Sequence, residues 1–368
     1  ISEKTFEEAE TMIEASGASL PAYMEPVHFP DHVAPKVDTF PSEEVGFLVR
    51  GHGILDTWQR VVERIMRYGT IKKSQYYNYQ YRELIGVTWV VSEEDPVAPN
   101  LTLASDWPEE LRSVVGATET AIKEYHSVFL NPELPSGMVY TYGNRLNAYP
   151  APDGPLNQVE EILKKQLRGS ADTLSAVATT LVPWLDKNQA LPCIAQVQCL
   201  TTRGKVHLLV TVRSHDIFKA AVPNAFGLRM LQKTIADDVG LGLGKLQITS
   251  QSAHIYEQDW ENASKLAKCA YWEREPSMTF TPETESDPRG SFLITVEGEK
   301  IIAVFQGPTG DELMKIEGES AKKVGYIMAH LELPSLSKHM LDIGMELQKA
   351  EMALQKKVPY KQDKPLVL

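Results

Sequence analysis

The stretch from residue 193 to residue 256 restricts the fold more than any other, because strand and helix signals follow one another there in a clear order. CIAQVQCL (193–200) and KVHLLVTVRS (205–214) are strand candidates separated by the turn-like TTRG. A helical pattern at 224–241, stopped at Gly240, and a further strand candidate at 245–256 follow. This succession predicts an α/β or α+β core built on a mixed sheet with flanking helices.

Periodicity adds detail around this core. In the second strand candidate Val206, Leu208, Val210 and Val212 face one way, and Arg213 ends the strand on its more polar face. Helical patterns are predicted at 57–68 and at 156–169, each followed or closed by a glycine. The aromatic and then apolar segment 75–92 fits a strand or a buried helix, and its periodicity does not decide between them.

Changes in composition predict three regions. Residues 1–45 are rich in Glu and Pro and are expected to form an N-terminal arm, followed by a core domain at 46–280. A run of Pro, Thr, Glu and Gly then precedes a small α+β domain at 288–368. In that domain, 291–306 is typical of a hairpin, and AKKVGYIMAHL and LSKHMLDIGMELQKAEMALQK are typical of two helices.

Charge and motif content exclude several classes of function. The net charge of -12 argues against broad attraction to DNA or anionic lipid, and no segment has the apolar length of a membrane span. Three cysteines without paired histidines indicate neither a disulfide framework nor a zinc site, so we expect reduced thiols and no metal. We also expect a cytoplasmic location. VGLGLGK (239–245) lacks Walker spacing and predicts a connecting turn, and no G-x-G-x-x-G follows a strand.

One group of side chains suggests chemistry. A cysteine acts as a nucleophile in its thiolate form, so Cys193 at the start of one strand would gain from a cation such as Arg213 at the end of the next. His254 and Tyr256 are two residues apart and share one face of a strand. Each of these residues alone is more simply explained as structural, since free cysteines are commonly buried. Their combined spacing is what favours a site.

That spacing resembles the thymidylate synthase family over about 46–280. Pro192-Cys193, followed after four residues by Gln198, matches its nucleophile motif. Arg213-Ser214-His215-Asp216-Ile217-Phe218 with Asn224, and His254-Ile255-Tyr256, match two further motifs without insertion or deletion. Three further segments resemble the family more loosely. TYGNRLNAYPAPDG is similar to its Tyr-Gly segment, and Arg-Glu-Leu at 82–84 is similar to its glutamate motif. RYGT at 67–70 is similar to its phosphate loop.

The resemblance implies a role for each matched residue. Cys193 would add to carbon 6 of the pyrimidine, because carbon 5 alone is too weak a nucleophile for a one-carbon donor. The implied catalytic residues are Cys193, Glu83, Tyr142 and Asp216. The implied nucleotide-binding residues are Arg67, Gln198, Arg213, Ser214, Asn224, His254 and Tyr256, with Asp216 and Trp107 implied to contact the pterin. Asn224 stands where an Asp is typical of cytosine substrates, which favours uracil. Cys199 is expected to be a core thiol.

The sequence also departs from the family. Two adjacent arginines that the family donates across its dimer are replaced by Thr173 and Leu174. At about 1.5–3 kcal/mol per charged hydrogen bond, their loss would weaken phosphate binding unless Arg67 or Arg168 compensates. Ile194 follows the cysteine where His is usual, and Val212 replaces a common Gln. The C-terminal domain resembles one appended to some archaeal members of the family and related to a subunit of a methanopterin-linked methyltransferase.

These observations predict methylation of dUMP to dTMP with methylene-tetrahydrofolate or methylene-tetrahydromethanopterin as co-substrate. A site less closed than that of the relatives would instead let water trap the one-carbon unit, giving hydroxymethylation of dUMP, UMP or CMP. A nucleotide- or RNA-binding relative without turnover is the third hypothesis, motivated by Thr173 and Leu174. The resemblance further implies a homodimer.

Overall fold

The computed structural model describes residue 11 and residues 44–74, 78–187, 190–271 and 286–367, without the side chains of 268–271. It divides into two units, Ile1–Ala267 and Lys268–Leu368. The predicted N-terminal arm lies almost entirely outside the described residues, as does most of the Pro- and Thr-rich run before the second unit.

An eight-stranded sheet forms the centre of the first unit, and a two-stranded hairpin lies apart from it. The strands are β1 (Val45–Gly51), β2 (Thr70–Lys73), β3 (Gln80–Val91), β4 (Tyr149–Ala151), β5 (Gly154–Leu156), β6 (Val177–Thr179), β7 (Ile194–Thr202), β8 (Lys205–Val212), β9 (His215–Asp216) and β10 (Gly242–Tyr256). The sheet order is β1-β3-β10-β8-β7-β6, with β2 added to β3 and β9 to β10. β10 runs parallel to β8 and antiparallel to β3, which confirms the predicted mixed sheet.

Side-chain alternation explains why these segments are strands. Val206, Leu208, Val210 and Val212 of β8 are buried, as predicted, while the residues between them are more exposed. The ambiguous segment 75–92 becomes strand β3 from Gln80 onward, and 75–77 lie outside the described residues.

Helices cover one face of the sheet. In the first unit they are α1 (Ile54–Tyr68), α2 (Glu109–Val114), α3 (Glu119–Leu130), α4 (Tyr142–Asn147), a π-helical segment (Val159–Lys164) that continues as α5 (Lys165–Gly169), α6 (Pro183–Asp186), α7 (Ala221–Asp238) and α8 (Trp260–Tyr271). α1 packs on β3, α7 packs on β8 and β10, and the two helices contact each other. The predicted helices at 57–68 and 224–241 therefore exist, and both begin three residues earlier than predicted.

The glycine-rich segment VGLGLGK differs from its prediction as a connecting turn. Only residues 239–241 turn, and the left-handed Gly240 has φ +69°. Gly242 and Gly244 already belong to β10, where a Cβ on Gly244 would lie 2.5 Å from the carbonyl oxygen of Val206. These glycines allow β10 to approach β8 closely at a register shift, so their function is strand packing.

The second unit is a three-stranded antiparallel sheet with two helices. Its elements are β11 (Ser291–Glu297), β12 (Lys300–Gln306), β13 (Glu312–Gly318), α9 (Ala321–His330) and α10 (Ser337–Lys356). The predicted hairpin and both helices are confirmed. The edge strand β13 was not predicted, because most of its side chains are exposed and give no alternating apolar signal.

Asp287 holds the start of α10 in the second unit. Its carboxylate accepts hydrogen bonds from the backbone N–H groups of Ser335 and Leu336 and from the Ser335 hydroxyl, and it contacts the ring of His339. The pKa of Asp287 is about 2, because these hydrogen bonds outweigh the opposing effect of burial.

The described ranges lack both a membrane-spanning helix and a cluster of metal-ligand side chains. None of their helices has both the length and the apolar composition needed to cross a membrane. The same residues contain no group of three or more His, Cys, Asp and Glu side chains arranged to hold a metal ion.

Candidate active site

Cys193 lies immediately before β7, at the end of the sheet where β8 finishes. The β7–β8 ladder pairs Ile194 with Val212, so the residues on either side of that pair meet. The backbone N–H of Arg213 donates to the carbonyl oxygen of Cys193 at 2.8 Å. The strand pair thus brings the predicted nucleophile and the predicted cation together. Cys193 is half-buried, while Cys199 on the same strand is fully buried, as predicted.

The side chain of Arg213 holds the chain before the cysteine. Its Nε donates to the carbonyl oxygen of Pro192 at 2.9 Å, and its Nη2 donates to the carbonyl of Leu191. Burial raises the pKa of the Cys193 thiol, and the positive charge of Arg213 lowers it. Hydrogen bonds from Tyr140 and Tyr142 to the sulfur also lower the pKa. The pKa of the thiol stays above its ordinary value, because burial outweighs the charge and the donors. A cation and hydrogen-bond donors beside a cysteine favour the thiolate form in which it reacts.

Three phenols surround the thiol. Tyr142 begins α4, whose N-cap Thr141 accepts a hydrogen bond from the N–H of Asn144 at 2.9 Å. The rings of Tyr140 and Tyr142 lie 5.9 Å apart. Burial raises the pKa of Tyr142 above its ordinary value, and the neighbouring Cys193 raises it further. Burial likewise raises the pKa of Tyr125 to about 12, so each phenol is a proton donor at neutral pH.

Asn224 lies in the first turn of α7, on the helix side of the phenols. Its side chain is only 2% exposed, and its Oδ1 accepts a hydrogen bond of 2.7 Å from the hydroxyl of Tyr125 on α3. Tyr125 is electrostatically coupled to Cys193 and Tyr140. The predicted pyrimidine-binding amide is therefore linked to the thiol cluster through a residue that the sequence did not single out.

Asp216 connects this cluster to β10. It pairs in the β9–β10 ladder with His254, and its Oδ1 accepts the N–H groups of Phe218 and Lys219, both at 3.0 Å. Burial raises the pKa of Asp216, whereas the hydrogen bond from Lys219 lowers it. Asp216 also raises the pKa of Cys193, which shows that the two groups are close enough to interact.

His254, Tyr256 and Glu83 form a second polar group across β3 and β10. His254 Nε2 lies 3.2 Å from the hydroxyl of Tyr256, and its Nδ1 lies 3.2 Å from Ser252 Oγ. Ser252 Oγ donates to Glu83 at 2.5 Å, and Glu83 is also paired with Lys72. Burial lowers the pKa of His254 and favours the neutral ring, so this site has a connected row of neutral donors and acceptors ending in one carboxylate.

Comparison with known proteins identifies the family of this chain. The family profile described as "Thymidylate synthase" matches residues 119–297. A protein of Methanococcoides burtonii named "Putative thymidylate synthase" is 32% identical over 225 residues, which are 61% of this chain and 96% of that protein. This chain belongs to the thymidylate synthase family.

Further matches extend the comparison. A protein of Methanosarcina barkeri, also named "Putative thymidylate synthase", is 30% identical to this chain over 226 residues. These residues are 61% of this chain and 96% of that protein. Residues 286–363 match a second profile, described as "PterinBD-DUF4346", which corresponds to the three strands and two helices of the second unit. The chain thus combines a thymidylate synthase family domain with a second domain that is similar to the PterinBD-DUF4346 profile.

Three of the predicted site residues lie in other surroundings. Arg67 ends α1 in an ion pair of 2.6 Å with Glu63. Gln198 is five residues beyond Cys193 in an extended strand, about 16 Å along it, and its Nε2 donates to the carbonyl of Leu174. Trp107 packs in the core, 5.9 Å from the ring of Trp58.

Ser214, by contrast, lies where the motif predicts it, half-buried directly after Arg213.

The stretch in which the sequence departs from the family pattern is accessible at the surface. Leu174 is 75% exposed, and Thr173 Oγ1 accepts the N–H of Ser175 at 3.1 Å. Arg168, one candidate to replace the arginine pair, is ion-paired with Asp238 and lies 3.5 Å from Glu160. Its charge is therefore already balanced within the subunit.

Residues that the sequence did not reveal complete the site. Tyr125, Tyr140 and Ser252 contact predicted site residues, and none of them belongs to a motif that was matched. Tyr140 precedes Tyr142 by two residues, so the Tyr-x-Tyr repeat was a visible signal. Tyr125 is separated from Asn224 by 99 residues, and only the folded chain shows their contact.

Proposed function

We propose that this protein methylates carbon 5 of dUMP with a methylene-pterin co-substrate, through a covalent adduct between Cys193 and carbon 6 of the uracil. The observation that carries this proposal is the half-buried Cys193 thiol beside Arg213 and two phenols, immediately before β7. This environment combines the features that stabilise a thiolate: a permanent cation and several hydrogen-bond donors.

The chemistry assigns each neighbouring group a task. The Cys193 thiolate adds to carbon 6, and the electrons of the 5,6 double bond make carbon 5 nucleophilic towards the one-carbon unit. Asn224 holds the carbon-4 oxygen, where negative charge develops, and Tyr142 assists removal of the carbon-5 proton. Loss of that proton expels the tetrahydropterin and leaves a methylene group on carbon 5. A hydride from the tetrahydropterin then reduces this methylene group to methyl as the thiolate of Cys193 is eliminated, so the pterin is released in its dihydro form and the 5,6 double bond is restored.

The remaining residues bind the two substrates in this proposal. Arg213 and Ser214 contact the nucleotide phosphate, and His254 with Tyr256 binds the sugar 3'-hydroxyl. Asp216 contacts the pterin ring, and Glu83 organises proton transfers through Ser252. The match of the second unit to a pterin-binding family supports a pterin donor, either methylene-tetrahydrofolate or methylene-tetrahydromethanopterin.

We also propose that the protein is a homodimer formed through the face of the sheet that the helices of the described ranges leave uncovered. Strand pairing aligns one row of side chains across five strands of that face: Leu48, Thr88, Thr249, Thr211 and Gln196. None of these residues is buried in the single chain, and none is charged. An uncharged, aligned sheet face of this kind suits packing against a second copy. Thr249→Lys should convert the dimer to monomer in sedimentation experiments, whereas Thr309→Lys in the second unit should not.

Product analysis tests the enzymatic proposal. The protein is incubated with dUMP and each methylene-pterin in turn, and the nucleotide product is identified by mass spectrometry. A methylated nucleotide is expected, and a hydroxymethylated product would contradict methylation while keeping the Cys193 adduct. Cys193→Ser should abolish the reaction, whereas Cys199→Ser, which alters the buried thiol of the same strand, should not. A protein that binds dUMP but yields no product with either donor would be a binding relative without turnover.

A further inference from the structure

The hydrogen bond between Tyr125 and Asn224 gives the buried amide a defined orientation. The Tyr125 hydroxyl donates to Oδ1 at 2.7 Å, so the oxygen end of the amide faces the phenol. Across the described part of the chain, no residue accepts a hydrogen bond from Asn224 Nδ2. Asn224 as a whole is 2% exposed, and Nδ2 keeps a small accessible surface beside the thiol cluster, so this donor remains available to a ligand.

The two pyrimidine bases present opposite hydrogen-bonding edges to such an amide. Uracil has an acceptor at carbon 4 and an N–H donor at position 3, whereas cytosine has an N–H₂ donor at carbon 4 and an acceptor at position 3. An amide can match either edge, because rotation by half a turn exchanges its oxygen and its nitrogen. An asparagine by itself therefore discriminates poorly unless another group fixes its orientation.

We propose that Tyr125 is the positioning residue that makes this site specific for uracil nucleotides, by fixing the amide of Asn224 with Nδ2 towards the carbon-4 position. This inference rests on the proposed function, and it adds a determinant of substrate class. Oδ1 has two lone pairs, so it accepts the Tyr125 hydroxyl and still has a lone pair for the N–H at position 3 of uracil. A cytosine nucleotide requires the reverse orientation, which leaves the phenol donor without its acceptor in a buried site.

The surroundings hold Tyr125 itself in place. It lies on α3 with its ring 5.8 Å from that of the fully buried Phe129, which in turn lies 5.2 Å from the ring of Tyr142. This aromatic row links α3 to α4, the helix that begins at Tyr142 beside the thiol. The phenol is protonated at neutral pH, since burial raises its pKa to about 12, and it therefore acts as a donor throughout the working range.

A double-mutant experiment tests this inference through binding alone. The affinities of dUMP and dCMP are measured by calorimetry, without a pterin, for the wild-type protein, Tyr125→Phe, Asn224→Asp and the double variant. The wild-type protein should prefer dUMP. Tyr125→Phe should reduce this preference about tenfold, equivalent to about 1.4 kcal/mol, partly through tighter binding of dCMP. A gain in affinity cannot result from misfolding.

The Asn224→Asp background supplies the decisive comparison. A carboxylate has two equivalent oxygens and no amide orientation to fix, so Tyr125→Phe should change the dUMP to dCMP ratio by less than about twofold there. Tyr149→Phe is the matched control, because it removes a phenol hydrogen bond of 3.0 Å to the carbonyl of Leu181. It should leave the ratio unchanged. Tyr125→p-aminophenylalanine, which restores an N–H donor at the same position, should restore the wild-type ratio.

The outcomes separate this inference from the proposed function. If the wild-type protein binds neither uracil nor cytosine nucleotides, the proposed function fails. If it prefers dUMP and Tyr125→Phe retains the full preference, only the role of Tyr125 is overturned. The same conclusion follows if Tyr125→Phe changes the ratio equally in the wild-type protein and in the Asn224→Asp variant. If Tyr125→Phe does not fold, the p-aminophenylalanine variant decides, because loss of the dUMP preference in that folded protein also overturns the proposal.

Discussion

The Nε of Arg213 donates a hydrogen bond of 2.9 Å to the carbonyl oxygen of Pro192, the residue that precedes Cys193. The same residue binds the carbonyl of Leu191 through its guanidinium and that of Cys193 through its backbone N–H. Arg213 therefore fixes three consecutive carbonyl groups and places a permanent charge beside the thiol. A rigid planar donor group is well suited to both tasks, and a lysine is not.

Arg213→Gln should make Cys193 less reactive. Removal of the positive charge takes away an interaction that lowers the pKa of the thiol, so the pKa rises and the thiolate fraction at neutral pH falls. The rate of alkylation of Cys193 by iodoacetamide, followed by mass spectrometric peptide mapping, should fall several-fold, and its pH profile should move to higher pH. Arg213→Lys should react at an intermediate rate, since it retains the charge but loses the carbonyl contacts. Equal rates in all three proteins would show that Arg213 does not ionise the thiol.

Tyr140→Phe should act in the same direction. The hydroxyl of Tyr140 is hydrogen-bonded to the Cys193 sulfur and lowers the pKa of the thiol, so its removal raises that pKa. The alkylation profile of Cys193 should again shift to higher pH. Tyr149→Phe serves as the control, because its hydroxyl bonds to the carbonyl of Leu181 and not to the sulfur. An identical shift in both variants would indicate a general loosening of the fold.

The segment 193–256 was predictable because its elements are regular and joined by short turns. Strand alternation and helix period fix the faces of β8 and α7, and the distance along the chain then fixes which motif residues meet. The meeting of Cys193 with Arg213 follows from this local regularity, whereas the pairing of Asp216 with His254 joins strands on either side of α7 and was not predicted. The first of these contacts needs no information beyond the ladder register.

Other parts of the site depend on contacts between distant segments. Tyr125 reaches Asn224 across 99 residues, and Glu83 reaches Ser252 across 169 residues, so no period or spacing indicates either pair. For Gln198 the motif was visible in the sequence, but its surroundings were not. The motif predicted a place in the nucleotide pocket, whereas the extended strand places the side chain against the carbonyl of Leu174. β13 was missed because its mostly exposed side chains carry no apolar alternation.

Asp186→Asn should strongly destabilise the first unit. Arg145 and Asp186 form an ion pair of 2.7 Å in which both side chains are almost fully buried, and Asp186 also accepts the N–H of Val182 at 2.6 Å. Loss of the carboxylate charge leaves the buried guanidinium uncompensated, at a cost of about 3–5 kcal/mol in the free energy of unfolding. Urea denaturation measures this change. Glu261→Ala, which breaks an exposed pair with Lys265, should leave the midpoint unchanged, and similar effects of the two variants would contradict the role of burial.

His215 should contribute to acid destabilisation of the fold. Its ring is buried beside Trp89, its Nδ1 lies 2.8 Å from Ser250 Oγ, and its Nε2 has no hydrogen-bond partner in the described ranges. Burial lowers its pKa to about 3, with a smaller contribution in the same direction from the nearby His254. Since the folded pKa is below the unfolded value of about 6.5, the unfolded chain takes up the proton first as the pH falls.

The stability that this neutral histidine provides is complete above about pH 6.5 and is lost as the pH falls towards 3. Within that window one extra proton on the unfolded chain makes the free energy of unfolding fall by about 1.4 kcal/mol per pH unit. His215→Gln removes the titration, so its stability should fall less steeply with acidification than that of the wild-type protein. Urea midpoints measured from pH 7 to pH 4 provide the comparison, with His330→Gln, on the exposed end of α9, as control. Parallel curves for His215→Gln and the wild-type protein would show that the ring takes up its proton at the same pH in the folded and unfolded states.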